Sequence, residues 1–485
     1  MEFLFKSATV VSSSGQKTRD IYVKDGKIVA PFKSEVMTVI DCEGKLLLPG
    51  IIDCHVHFRE PGATHKGDFE SESRAAACGG VTTVLDMPNN TPPILTAADL
   101  AEKRKIVRGR SYTNYGFFVG AGQDTEALKS IEGACGIKLY MGSSTGNLLV
   151  DDPDKWEEIF KIAKVKNLTV TVHAEKESRV KSGMERFKND EDPCAYAHAR
   201  DCQCAREATC AALELRKKIG NKVHIAHLSC KSELELMKEF KNPNLTCEVA
   251  PHHLFFTMED MEDAFLKMNP PLRTITDVEA LWRGLMDGTV SLIVTDHAPH
   301  TLEEKREDMW TAPAGVPGVQ FVLPLMLNSV NEERIPLEKL VALLCENPAR
   351  IFGLKGKGKI EEGYAADLVL VDMKKTHTIV REDVLSKCGF SPYEFFTLKG
   401  WPVLTMINGE IVMKDGRVSG EKVGVEVSLS GVVAQKVVSC SHDRPFSRIL
   451  RGTVGEPFGA CIGRAWRDCR QYGAGCAERS GWSNN

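Results

Sequence analysis

From residue 49 to about residue 352 the chain alternates two patterns. Short apolar, β-branched runs come first: "GVTTVLDM", "GIKLYM", "LTVTVHAE", "KVHIAHLS", "LTCEVAPHH" and "VSLIVTDHAPH". Runs of this kind read as strands buried on both faces. Between them lie stretches with helical spacing, such as "DPDKWEEIFKIAKVK". Ser232-x-x-Glu235 and Thr276-x-x-Glu279 fit capping boxes that open helices. Repeated strand–helix units over some 300 residues predict an α/β fold with a parallel sheet, and a (β/α)8 TIM-like barrel fits best. An open doubly wound sheet is the second choice. Against it, no glycine-rich dinucleotide fingerprint follows any of these strands.

The ends carry a different pattern. In "IYVKDGKIVA", β-rich flanks surround Asp25-Gly26. "ADLVLVDM" and "LTMINGEIVMKDGRV", with Asn408-Gly409 and Asp415-Gly416, repeat the style. These are hairpin signals. They predict a small β-sandwich domain built from both ends, residues 1–48 and 353–420, with the catalytic barrel of 49–352 inserted between. Residues 421–485 differ again: seven Arg stand against two Lys, with four cysteines and no sustained period. This stretch reads as a poorly ordered or atypical tail outside the fold. A small Cys/His metal module is the weaker reading of it, because its spacings match no standard site.

Composition narrows the function. Of 485 residues 42% are apolar and 26% charged, and the net charge is −4. No basic cluster points to nucleic acid or to an anionic membrane surface. The opening residues lack a signal-peptide pattern, and no apolar run approaches a membrane span. Sixteen scattered cysteines without a CxxC pair read as reduced thiols. The expectation is a cytoplasmic protein acting on a small molecule; a homo-oligomer is compatible with it.

The candidate chemistry lies at strand ends, where barrel enzymes keep their active groups. "GIIDCHVHFREPG" places His55 and His57 two apart, on one side of a strand. "VTVHAE" ends on His173, "HIAHLS" carries His227, and "LIVTDHAPH" carries Asp296. Singly, each is an ordinary buried polar residue. Together, four histidines and an aspartate suit a zinc-like metal. Lys138, in "GIKLYMGSST", is an awkward charge in an apolar strand. It pairs with a buried carboxylate, or it loses its proton near cations and reacts with carbon dioxide. The resulting carbamate is an anion with two metal-binding oxygens.

These motifs, with "DMPNN", "MNPPLR", "TDHAPHTLEEK" and "GKIEEGYAADLVLVD", resemble the amidohydrolase superfamily over residues 1–418 and, within it, the dihydroorotases. "HFREPG" and "DMPNN" carry the narrower likeness. The resemblance implies reversible hydrolysis of dihydroorotate to N-carbamoyl-L-aspartate, a step of pyrimidine synthesis. It implies two zinc ions: His55, His57 and Asp296 on one, His173 and His227 on the other, with carboxylated Lys138 and a hydroxide bridging. Asp296 would also move the proton. Arg59, Asn89 and His300 would hold the substrate carboxylate, while Asn269 and the loop at Ala314-Gly315 would touch the ring. Ser144 and Thr145 would belong to a mobile lid. His252 and His253 fit a supporting role and not ligation; Glu248 and Arg200 stay unassigned. "HARDCQC" departs from the family's usual segment after the fifth-strand histidine. Two alternatives remain: a hydantoinase- or allantoinase-like cyclic amidase, for which Arg59 is the discriminator, and an inactive homologue serving as a scaffold.

Overall fold

The computed structural model describes residues 1–144, 148–418 and 420–429. Eight parallel strands form its centre: β1 (Ile51–Val56), β2 (Val81–Asp86), β3 (Asn114–Gly120), β4 (Gly136–Tyr140), β5 (Thr169–His173), β6 (Lys222–Ile225), β7 (Leu245–Val249) and β8 (Leu292–Ile293). They hydrogen-bond in sequence order from β1 to β8. The circle closes where Val56 bridges His297 and the His57 amide donates to the His297 carbonyl at 2.8 Å. The sheet is therefore a barrel and not an open doubly wound sheet.

The strands are buried along nearly their whole length, which explains their continuous apolar reading. One strand, β3, is absent from the runs singled out in the sequence. It carries Gly116, where a Cβ would lie 2.5 Å from the Cys135 sulfur. A glycine inside an aromatic stretch weakens the strand signal but is required by this close approach.

Helices cover the outside. The one over Pro153–Lys166 shows why. Asp152 caps it by accepting from the Asp154 amide, Pro153 supplies a helical φ at the start, and Asn167 ends it in the left-handed region at φ 56°. Trp156, Ile159, Phe160, Ile162 and Ala163 form its buried stripe. Each large side chain there contributes about 1.5–3 kcal/mol by leaving water. Two predicted helix starts shift by two residues. Cys230 with Glu233 forms the box that opens Lys231–Glu239, while Thr274, its hydroxyl donating to the Asp277 carboxylate at 2.6 Å, is the N-cap of Ile275–Asp287. Ser232 and Thr276 lie inside the first turns instead.

The two ends meet in one mixed nine-stranded sheet. Strand Leu46–Pro49 runs parallel to Glu2–Ser12 on one side and antiparallel to Leu368–Thr378 on the other. The three hairpin turns are formed by Asp25-Gly26, Asn408-Gly409 and Asp415-Gly416, each pair with both φ values positive. The first two turns pack together: a Cβ on Gly26 would sit 2.8 Å from the Asn408 carbonyl oxygen.

The fold also runs past residue 420. Val425 and Val427 exchange backbone hydrogen bonds with Tyr115 of β3, and Ser428 accepts from the Lys355 amide. Val427 and Leu429 pack against the buried cluster that holds Phe118, Cys135 and Phe352. The expectation of a tail detached from position 421 fails for this stretch, because its backbone pairs with β3 and its apolar residues join that cluster. Residues 430–485 lie outside the described part. No helix among the described residues is long and apolar enough to cross a membrane.

Candidate metal centre and substrate pocket

A pocket opens at the C-terminal ends of the barrel strands. Its wall brings together His55, His57, Lys138, His173, His227 and Asp296 from six places in the chain. Arg59, Asn89, Asn269, Ala314, Gly315 and Ser144 line it as well. Thr145 lies outside the described residues. His300 stands behind the wall.

His55, in β1, and His57, one residue past the strand, face one carboxylate. Asp296 Oδ1 lies 3.0 Å from His57 Nε2 and 3.4 Å from His55 Nε2. Ligand atoms of these three residues all fall within 4.8 Å of one another. Burial alone would raise the Asp296 carboxyl, but the two imidazoles outweigh it and hold it well below the usual carboxylate range. Burial pulls the His57 imidazole down to about 4, against the opposing pull of Asp296.

Lys138, fully buried in β4, places its Nζ 3.3 Å from His55 Nε2. Burial lowers its ammonium to about 8, while Glu248 and Asp296 act the other way. His173, last in β5, holds Nδ1 3.1 Å from His227 Nε2. The Nδ1 of His227 is buried with no hydrogen-bond partner among the described residues. His227 and Asp296 adopt φ of 33° and 49°, rare for residues with a Cβ. This set fits a cation. Imidazole and amine nitrogens press on one another, one ring nitrogen is orphaned, and a carboxylate stands among them. Nitrogen and carboxylate oxygen donors of this kind suit zinc and its neighbours.

Supporting carboxylates complete the cluster. Glu248 of β7 accepts from His55 Nδ1, from His224 Nε2 at 2.9 Å and from the His227 amide at 3.2 Å. Glu175 pairs with His173 Nε2 at 2.8 Å, and Arg200 grips the same carboxylate. Fixing the outer nitrogen of a ring selects the tautomer whose other nitrogen faces inward. Arg200 thus belongs to the support of the centre. Reading Glu175 and Arg200 from sequence needed two signals: a carboxylate two residues past His173, and a buried arginine to neutralise it.

On the other wall, Arg59 adopts φ 65° and its Nε donates to the Pro299 carbonyl at 3.0 Å. Burial lowers its guanidinium to about 10, so it stays charged at neutral pH. Asp86 accepts from the Phe58 amide at 2.7 Å and pairs with buried Lys103. Lys103 also donates to Asn90 at 2.7 Å, and Asn90 donates to the Glu60 carbonyl at 2.9 Å. The "DMPNN" segment therefore fixes the backbone on both sides of Arg59. Asn89 Oδ1 accepts from His57 Nδ1 at 2.5 Å.

His300 is buried, and burial with Arg59, Lys66 and Lys305 around it keeps it neutral. Its Nδ1 lies 3.0 Å from the Lys66 ammonium, and its Nε2 lies 3.1 Å from the Ala314 carbonyl. The Arg59 guanidinium lies 3.0 Å from the same Nε2. Asn269 Oδ1 accepts from the Tyr196 hydroxyl at 2.7 Å. Lys305 donates to the carbonyls of Lys267, Pro313 and Gly315, tying the two ring-side loops together. His252 is buried with both nitrogens unpartnered among the described residues, and it does not line the pocket.

Comparison with known proteins agrees with this geometry. Residues 46–412 match the amidohydrolase family. The dihydroorotase of Methanothermobacter thermautotrophicus is 38% identical over 416 residues, covering 83% of this chain and 92% of that one. The dihydroorotase of Pyrococcus horikoshii is 35% identical over 437 residues, covering 89% and 95%. Among solved structures, the L-hydantoinase (dihydropyrimidinase) of Arthrobacter aurescens superposes with a TM-score of 0.85 at 30% identity, covering 88% of this chain and 99% of that one. The dihydropyrimidinase of Brevibacillus agri gives 0.84 at 25% identity, covering 90% and 100%. The chain belongs to the amidohydrolase family.

Proposed function

We propose that this protein is a dihydroorotase that opens and closes the dihydroorotate ring in pyrimidine synthesis, as a cytoplasmic enzyme. One observation carries the reading: a cluster of metal-type donors shares a pocket with a buried guanidinium, Arg59, suited to a substrate carboxylate. Relatives sharing more than a third of their residues with the chain bear the name.

His55, His57 and Asp296 would hold one zinc ion and His173 and His227 a second, with Lys138 joining them. The Lys138 amine, buried and easily neutral, would take up carbon dioxide through a new N–C bond and lose a proton. Bound metal supplies Lewis acidity and lowers the pKa of water. The remaining work belongs to the chain. Arg59 pairs with the substrate carboxylate, a geometry a guanidinium can make bidentate. Asn89 and His300 flank it. Asn269, Ala314 and Gly315 contact the ring; Gly315 at φ 140° leaves room that a Cβ would take from Ala298 and His300. Asp296 receives the proton of the attacking water at its carboxylate and passes it to the leaving ring nitrogen. Ser144, on the pocket wall, would belong to a lid. Reversed, the same residues cyclise N-carbamoyl-L-aspartate.

The test is turnover of dihydroorotate, hydantoin and allantoin by purified protein, with metal content measured on the same sample. Zinc-loaded protein that opens dihydroorotate by preference supports the reading. Preference for hydantoin, as the superposed hydantoinases suggest, would replace it with the neighbouring activity. A metal-loaded protein inert on all three would favour the scaffold. Lys138→Ala is expected to lose metal and activity together.

A further inference from the structure

Tyr140 lines the pocket and has no part in the chemistry above. It stands two residues after Lys138 on β4, so both side chains face the barrel interior. The residue is only 4% exposed, yet its hydroxyl has no hydrogen-bond partner among the described residues. Buried hydroxyls are nearly always paired, and an exception in a pocket points to a partner that arrives with the ligand. Its neighbours on the wall are engaged already: Asn89 with His57 and Asn269 with Tyr196.

The ring is held firmly. Lys138 Nζ sits 5.3 Å from its centroid, and the His173 ring packs at 5.7 Å, tilted by 34°. The phenol therefore lies against residues of the hydrolytic cluster, while Arg59 supplies the positive charge for a carboxylate. A phenolic O–H can donate a hydrogen bond, and this one is not spent on another group of the described protein.

We propose that the Tyr140 hydroxyl is a further catalytic residue, donating a hydrogen bond to the oxygen of the scissile ring carbonyl as that oxygen gains negative charge. The proton stays on the phenol; no bond to it breaks. This assignment rests on the proposed reading that the pocket opens a cyclic amide.

The experiment compares wild type with Tyr140→Phe, which keeps the ring and removes only the donor. Both are assayed on whichever ring amide the wild type opens. Steady-state kinetics are measured across pH, with bound metal and melting temperature. The expected result is a fall in kcat of roughly 100- to 1000-fold, the range for losing one such donor. KM should change less than threefold, with pH profile, metal and melting temperature unaltered. Calorimetric binding of a planar pyrimidine carboxylate to metal-free protein should also be unaltered.

Unchanged kcat would overturn the proposal. So would a loss confined to KM and to binding of the planar carboxylate, because that places the hydroxyl on the carboxylate. A lost limb of the pH profile would make the phenol a proton donor, and a loss of metal would make it structural; either overturns it. A wild type that opens hydantoin instead of dihydroorotate removes the substrate reading alone, since the comparison is then made on hydantoin. A wild type that opens no ring amide removes both.

Discussion

Glu248 takes the Nδ1 hydrogen of His55, and this leaves the Nε2 of that ring facing Asp296, 3.4 Å away. The carboxylate is shared: His224 occupies its other oxygen at 2.9 Å. His224 in turn is held by the Thr246 hydroxyl at 2.8 Å. A chain of four side chains thus fixes the tautomer of one metal-type ligand.

Glu248→Gln should weaken metal binding about 10- to 100-fold, the usual cost of losing a partner of this kind. The amide keeps the shape but can offer only one acceptor to two ring N–H groups. Zinc retained after dialysis against a graded chelator series checks this. Full retention would mean that His55 is oriented by packing alone.

Arg59→Ala should lower kcat/KM for dihydroorotate by roughly two to three orders of magnitude, the range for removing one partner of a buried charged pair. Bound metal should be unchanged, because Arg59 touches Pro299 and His300 and no metal-type donor. Arg59→Lys should recover little, since a single ammonium cannot reproduce the fork. Metal loss in Arg59→Ala would place the residue in the other half of the site.

Ring opening creates a second carboxylate and releases a proton. Each unit rise in pH above the carboxylate range should move the equilibrium about tenfold toward the open form. The ratio of the two compounds at pH 6, 7 and 8 reads this directly. A constant ratio would contradict the assigned reaction.

Lys305 makes a prediction about stability. Burial, with Lys267 beside it, lowers its ammonium to about 7. In an unfolded chain lysine titrates near ~10.4. Between those values the unfolded state binds the extra proton, so this residue adds stability as pH rises from about 7 toward 10 and withholds it below. The wild type should therefore gain on Lys305→Met over that window in urea-unfolding midpoints. A difference independent of pH would show that the three carbonyls keep Lys305 charged.

Much of the site was legible because strands have a period of two and barrels place chemistry at strand ends. His55, His57, His173, His227, Asp296 and Lys138 were all found that way, and the pocket gathers them. Glu248, Glu175 and Arg200 were not assigned. Their work is to hold other side chains, and that depends on which strands are neighbours in space. Tyr140 escaped because an aromatic residue in an apolar strand reads as core until its unpaired hydroxyl is seen. The helix starts were missed by two residues since Ser, Thr, Asp and Glu recur at similar spacing nearby. Gly116 hid β3 for the reason that makes it necessary there.

The strand Leu46–Pro49 has one neighbour made early and one made late. Its late partner, Leu368–Thr378, emerges about 320 residues afterwards. At roughly 5–20 residues per second, the ribosome takes tens of seconds to deliver it. Through that interval the first-made strands carry an unpaired β-edge, a template for sticking to other chains. The barrel must form while its own flanking sheet is half built. Holding that edge quiet during synthesis is thus a demand the topology places on the cell as much as on the sequence.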